Sequence, residues 1–486
     1  MGVWGLRPQR VQGRALAFLG EWITARVGIR PHYPAADEEP MRDPMTCPAF
    51  LVAAAVLVAG GAAGLPMLAA TLPSSSPVHS IFAFRAPDTP HPTGTIPWGN
   101  LLLGADGSLY GTASDYQVAF GQQGHVFRLT PATSGTGAWH ETVLHRFVGK
   151  TDGKLPFVGV VAGADGALYG TTYVGGAHGG GTAYRLAPPA GGGKAWSFSV
   201  LHAFDKLDGA IPLSPLLPGP DGSFYGTTNG GGDPVCLCGT IFQLLPPRPR
   251  SPTGSTGWTE RVLYKFTDSA IGNPAGSLIA DPAGALYGVT GWFGPPDIGY
   301  QNLSGIVYQL VPPVSRRGAW TLNVLHQFAG GSDGDTLEAG VVRDPDGNLY
   351  GTAALGGASN AGIAFRLSPP AGGSGTWAET ILHNFAALPR AADGAYPAGD
   401  LLLLADGSLL GTASEGGGQV DDNGTVFALS PPAPGSGTWS FTTLAALTSL
   451  TGNSPFGGLT QDGQGNFAGT ATEGARGFGS VYLYRP

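Results

Sequence analysis

Four histidines return at one place in a repeated, tryptophan-led segment: His145, His202, His326 and His383. Imidazole is a common metal ligand, so a ring of histidines invites a metal reading. A metal needs its ligands within about 2.1 Å, however, and equivalent side chains on the outer strands of separate repeats stand far apart. These histidines are expected to pack between repeats with one ring nitrogen hydrogen-bonded, with neither a metal nor a cofactor held. Arg128, Arg185 and Arg366 also occupy equivalent positions in separate repeats. They are not expected to converge, and the serine–tryptophan turn phrase of sialidase-like enzymes is missing beside them. The recurring Asp-Gly, most oxygen-rich at Asp344-Pro-Asp346-Gly-Asn348, has too few acids in its other copies for a calcium loop. A two-residue hairpin turn accounts for it. No paired carboxylates, nucleophile elbow or phosphate loop stands out, so no catalytic residue is assigned and the chain reads as non-enzymatic.

Composition sets the frame for these side chains. Of 486 residues, 81 are glycine and 42 proline, yet 42% are apolar and 10% aromatic. That much apolar surface must be buried, so the glycines punctuate many short elements, as in an all-β protein. The formal net charge is −8 and the repeat region carries no basic run. Nucleic acid, which needs a basic stripe to displace counterions, is excluded as a partner on that ground.

The phrase Asp106-Gly-Ser-Leu-Tyr-Gly-Thr112 recurs with its tyrosine position at 110, 169, 225, 287, 350, 410 and 468, a period of about 60 residues. An apolar strand a precedes each turn, for example 100–104 and 400–404, and the phrase itself carries strand b. Strand c follows as Gly-x-Val-Phe-Arg-Leu, from Gly124 to the copy at Gly479. Strand d begins at Trp139, Trp196, Trp258, Trp320, Trp377 and Trp439. Alternation puts Trp139, Val143 and Phe147 on one face. Strands a, b and c occur seven times and the tryptophan-led strand d only six. The missing copy stands upstream at residues 78–84, Val-His-Ser-Ile-Phe-Ala-Phe. The expectation is a seven-bladed β-propeller with four-stranded blades, spanning 73–486, whose last blade is closed by the N-terminal strand. Such a ring is read as a monomer.

Ahead of the repeats, no Asp, Glu, Lys or Arg occurs from Pro44 to Phe84, and the window holds the apolar run 50–59. Residues 41–72 therefore read as a secretory signal peptide with cleavage near Ala70, or as an uncleaved signal-anchor. Residues 1–40 are an N-terminal extension with no domain-like pattern, consistent with a start at Met41 or Met45. Cys47 precedes the apolar run, in the wrong place for lipid attachment. Cys236 and Cys238 would remain in the exported chain. A Cys-x-Cys ring is strained and a metal would need two further ligands, so the pair reads as a local loop feature.

The run Asp165 through Leu186, with its Asp-Gly-x-Leu-Tyr-Gly-Thr-Thr, Gly-Gly loop and strand c, resembles the GloVer-type tandem repeats of choice-of-anchor bacterial proteins. The similarity covers 78–486. It implies an exported bacterial propeller with no established activity, secreted or held in the periplasm or cell envelope by variable means. This sequence departs from many such proteins in having no C-terminal sorting segment. The generic propeller repeat of bacterial sensor ectodomains is also similar, and supports strand a as the innermost.

Function is sought on the face where the b–c and d–a loops emerge, because these segments vary most from repeat to repeat. The candidate face comprises Tyr116 and Phe120 of the first repeat, Trp292, Phe293, Asp297 and Tyr300 of the fourth, and Asp421 and Asp422 of the sixth. Aromatics beside acids fit a glycan or a protein partner. A hydrolase or lyase on the same face, and a tethered sensor ectodomain in contact with a membrane through 1–72, are the alternatives.

Overall fold

The computed structural model describes residues 77–85, 96–114, 123–131, 139–190, 195–247, 257–291, 305–315, 318–373, 375–418, 422–433, 437–474 and 478–486. The N-terminal extension and the signal or anchor segment lie outside the described residues. The repeats form seven antiparallel sheets, each running a-b-c-d from its short strand a outward. The first blade is typical: Leu102–Leu103, Leu109–Ala113, His125–Thr130 and His140–Arg146. The sixth has a fifth strand, Ala395–Pro397, paired to the far end of Leu409–Glu415.

Closure is as expected. Val78–Ala83 pairs antiparallel with Ser480–Tyr484, in the register Val78 to Tyr484 and Ala83 to Ser480. Two backbone bonds extend the pairing: Phe84 N–H to Gly479 C=O at 2.9 Å and Arg485 N–H to Pro77 C=O at 2.8 Å. Without the N-terminal strand the last blade would leave strand c as an open edge, its backbone groups unpaired.

The core lies between blades instead of within them. Seven clusters of buried apolar side chains each span one seam of the ring. At the closing seam, Phe84, Ala468, Val481 and Leu483 of the last blade meet Leu101, Leu109, Phe127 and Leu129 of the first. Phe84 is fully buried, worth about 2–3 kcal/mol of transfer free energy. Strand b carries a glycine because the strand-c aromatic lies over it. A Cβ on Gly111 would sit 2.6 Å from Phe127 Cζ, and its cross-strand partner is Phe127 itself.

Two details differ from the sequence expectation. The turn between strands a and b is a three-residue loop: Gly107 N–H bonds Gly104 C=O at 3.0 Å and Gly104 N–H bonds Ser108 C=O at 2.8 Å. Gly107 takes φ 77, the left-handed position that follows a type I turn, and Asp106 Oδ1 accepts from Ser108 N–H at 3.0 Å. Strand d also carries a bulge at one fixed place, with Val126 opposite His145 but Phe127 opposite Val143, so Leu144 has no partner across the ladder. The bulge breaks simple alternation. At the Val143 position Val200 and Val324 are exposed, while Leu263 and Leu325 at the next position are buried.

Candidate functional site at the channel mouth

The d–a and b–c segments do emerge together. In five blades they meet through isolated β-bridges, such as Lys154 with Val174 and Asp335 with Leu355. Of the eight candidate-face residues only Asp422 is described; Tyr116, Phe120, Trp292, Phe293, Asp297, Tyr300 and Asp421 lie outside the described residues. Asp422 is half-buried, and its carboxylate accepts from Arg390 N–H at 3.0 and 3.3 Å. It therefore braces the d–a loop of its own blade.

The inner strands bring a different set of residues to the axis. Asn100, Ser277, Gly340, Asp400 and Gly458 each stand seven residues before the turn glycine of their blade. Asp400 Oδ2 accepts from Asn100 Nδ2 at 2.8 Å and from Ser277 Oγ at 2.5 Å. Asp400 Oδ1 accepts from Gly340 N–H at 2.8 Å, and Asn100 Oδ1 accepts from Gly458 N–H at 2.6 Å. Five blades are thus tied through one carboxylate and one amide. Backbones approach so closely here that a Cβ on Gly159 would fall 2.1 Å from Asn100 C=O. Both Asp400 oxygens are occupied by donors, so this acid is a tie and not a free base or nucleophile.

Two residues earlier in the same segments lies an aromatic arc. The Trp98 ring is 4.9 Å from Phe456 and 5.8 Å from Phe157, and Phe157 is 5.2 Å from Tyr173. Trp98, Phe157 and Phe456 come from d–a connections, and Tyr173 follows strand b, so the arc belongs to the loop face. Trp98 and Phe456 are half-buried. The Trp98 Nε1 is enclosed and has no hydrogen-bond partner among the described residues. Sequence reading missed this group, although an aromatic nine residues before the turn glycine at 98, 157 and 456 was a visible signal.

With blades, seams and axis in place, the match to known repeats is specific. The family model described as the Gloeobacter/Verrucomicrobia repeat matches residues 97–313 and again 293–486. The chain belongs to that repeat family. No curated protein matches this Gloeobacter/Verrucomicrobia repeat propeller. Among solved structures it is similar to a gluconolactonase from Xanthomonas campestris, at 15% identity and a TM-score of 0.36, over 84% of this chain and 89% of that one. A putative oxidoreductase (glucose dehydrogenase) from Thermus thermophilus shows 15% identity and 0.37, over 84% and 98%. A protein of unknown function from Dyadobacter fermentans shows 10% and 0.41, over 84% and 100%. None of these names bears on what the repeat propeller does.

The strand-d histidines each meet an aspartate from the following d–a loop. His145 Nε2 lies 3.0 Å from Asp152, His202 2.8 Å from Asp208, and His383 2.9 Å from Asp393. Asp152 also accepts from Val148 N–H at 3.0 Å and Gly149 N–H at 2.9 Å, so the pair pins the loop. His145 stacks on Phe198 and His383 on Phe441, both at 3.8 Å, each across a seam as packing predicted. Burial holds both imidazoles below the ordinary histidine range, against the pull of Asp152 and Asp393. At two other seams a glutamate replaces the phenylalanine. Burial pushes Glu260, beside His202, up to about 7, and Glu379, beside His326, up to about 8.

The remaining groups serve structure. Arg185 bonds Asp165 of its own turn at 2.7 Å, and Arg128 pairs likewise with Asp106. Asp344 accepts from Asn348 N–H at 2.8 Å, Asn348 Nδ2 at 2.7 Å and Tyr350 Oη at 3.0 Å, so protein donors fill it. Cys236 and Cys238 are joined in a disulfide, Cα to Cα 5.1 Å, within the b–c loop of the third blade. Leu237 between them takes φ 55, a left-handed turn that brings the two side chains together.

Proposed function

We propose that this protein is an exported, non-enzymatic propeller scaffold that binds a glycan through the face carrying its b–c and d–a loops. The observation that carries the reading is the aromatic arc of Trp98, Phe157 and Phe456 on the loop face, with Trp98 and Phe456 half-buried. Sugar rings present apolar C–H faces that stack on partly exposed aromatics, a usual feature of a small-ligand site. The His–Asp pairs hold the surrounding d–a loops before any ligand arrives, which lowers the ordering cost of binding. Asp400, the acid at the axis, is saturated by donors, which favours binding over catalysis. Export is supported by the charge-free, apolar window from Pro44 to Phe84.

A glycan array probed with the full exported chain tests this. Retention of one structural class of glycan, with no product released, is the expected result. Release of cleaved product makes the protein a hydrolase or lyase, and a blank array contradicts the glycan reading.

A further inference from the structure

We propose that the seam between the fourth and fifth blades holds a divalent cation of the zinc class, ligated by His326, Asp333 and Glu379. A weaker copy of the site is assigned to His202, Asp208 and Glu260 at the seam between the second and third. In both trios the candidate ligand atoms lie within 4.8 Å of one another. The histidine comes from strand d of one blade (Thr321–Gln327), the aspartate from the loop after it, and the glutamate from strand d of the next blade (Ala378–Asn384).

One ligand spacing matches a zinc site and a second is slightly wide of it. Zinc bonds nitrogen and carboxylate oxygen at about 2.0–2.2 Å in a tetrahedron, so its ligand atoms stand about 3.3–3.6 Å from each other. His326 Nε2 lies 3.4 Å from Asp333 Oδ1 and 3.9 Å from Glu379 Oε2. A second observation is independent of spacing. His326 Nε2 and Glu379 Oε1 are both enclosed and without a hydrogen-bond partner among the described residues. An enclosed nitrogen and an enclosed carboxylate oxygen left unmet within one trio are what a cation would satisfy. The ligands are also braced: Asp333 Oδ2 accepts from Ala329 N–H at 2.6 Å, and the His326 ring packs edge-on against Phe328 at 4.6 Å.

The other seams act as internal controls. Where Phe198 or Phe441 stands in place of the glutamate, the histidine closes directly on its aspartate, at 3.0 and 2.9 Å. Only the His326 pair is held open. His202 is already closed on Asp208 at 2.8 Å, and must separate to admit an ion, which is why its site is the weaker. One nitrogen and two oxygens leave a fourth position for water, reached from solvent because the three side chains keep 16–25% exposure.

The test uses the full chain, stripped with chelator and titrated with zinc chloride by calorimetry, with cobalt(II) as a spectroscopic probe. We expect one tight site, a weaker second site, a zinc-dependent rise in melting temperature, and visible cobalt bands of low-symmetry tetrahedral type. Glu379→Gln should weaken the tight site at least tenfold and remove its cobalt bands, while the metal-free variant melts no lower than the metal-free parent. Asp333→Asn supplies the same readout if the first variant folds poorly. Zinc affinity unchanged in these variants, or no heat and no melting shift in the parent, overturns the proposal.

Discussion

Asn100 Nδ2 donates to Asp400 Oδ2 at 2.8 Å across 300 residues of sequence. The bond joins the first blade to the sixth at the axis, and the same carboxylate reaches the fourth and fifth. Ring closure is therefore made twice: at the rim, where Val78–Ala83 completes the last sheet, and at the centre, where one acid gathers inner strands.

Asp400→Ala removes three donors' partner at once. Each half-buried bond to a charged group contributes up to about 1.5–3 kcal/mol, and the orphaned donors add desolvation cost. Partial repair by water leaves an expected loss of about 3–4 kcal/mol, read as a lower midpoint in urea, with Asp400→Asn intermediate. An unchanged midpoint in both variants contradicts the role given to the hub.

Deleting residues 78–84 should open the last blade. The variant loses the five register pairs with Ser480–Tyr484 and the burial of Phe84. We expect rapid hydrogen exchange across 467–484 and a melting temperature lower by ten degrees or more, on the order of several kcal/mol. Native protection of that segment in the deletion variant would mean that something else covers strand c.

Seam packing depends on strand b having no side chain at its glycine. Gly111→Ala places a methyl 2.6 Å from Phe127 Cζ and 2.9 Å from Leu101 Cδ2, both in the closing seam. Overpacking of this kind costs about 1–3 kcal/mol. Phe127→Leu in the same chain should restore part of it, giving a favourable coupling in a double-mutant cycle. Additive losses would show that the two residues do not contend for the same space.

Acid should weaken the ring through His145 and His383. Burial lowers both below the ordinary value of 6.5, so the unfolded chain takes up their protons first. Their contribution is complete above 6.5 and is lost as pH falls from there through the lower folded values. The His145→Gln, His383→Gln double variant should show a flatter dependence of melting temperature as pH falls below 6.5. A slope equal to the parent's assigns acid sensitivity to other groups.

The repeat was legible because each strand had to reappear about every 60 residues, and six tryptophan-led strands against seven turns located the closing strand at 78–84. The axis was not legible. Its position reads Asn100, Gly159, Pro215, Ser277, Gly340, Asp400 and Gly458, with no common chemistry until the ring juxtaposes them. The His–Asp–Glu trios were hidden for the same reason: the glutamate belongs to the next blade, and only seam packing sets it beside the histidine. His145 and His383 pack across seams with one ring nitrogen hydrogen-bonded, as read, whereas His326 Nε2 has no such bond among the described residues. The turn was misread as two residues because a left-handed glycine after a type I turn leaves the same Asp-Gly signature.

The most direct test of the account is the affinity of the best array glycan for the parent chain and for Trp98→Ala, measured by calorimetry with melting temperature recorded alongside. We expect at least tenfold weaker binding, about 1.4 kcal/mol or more, from a variant that still melts as one cooperative unit. Equal affinity in a folded Trp98→Ala chain would place the ligand away from the aromatic arc and contradict the binding site proposed for this propeller.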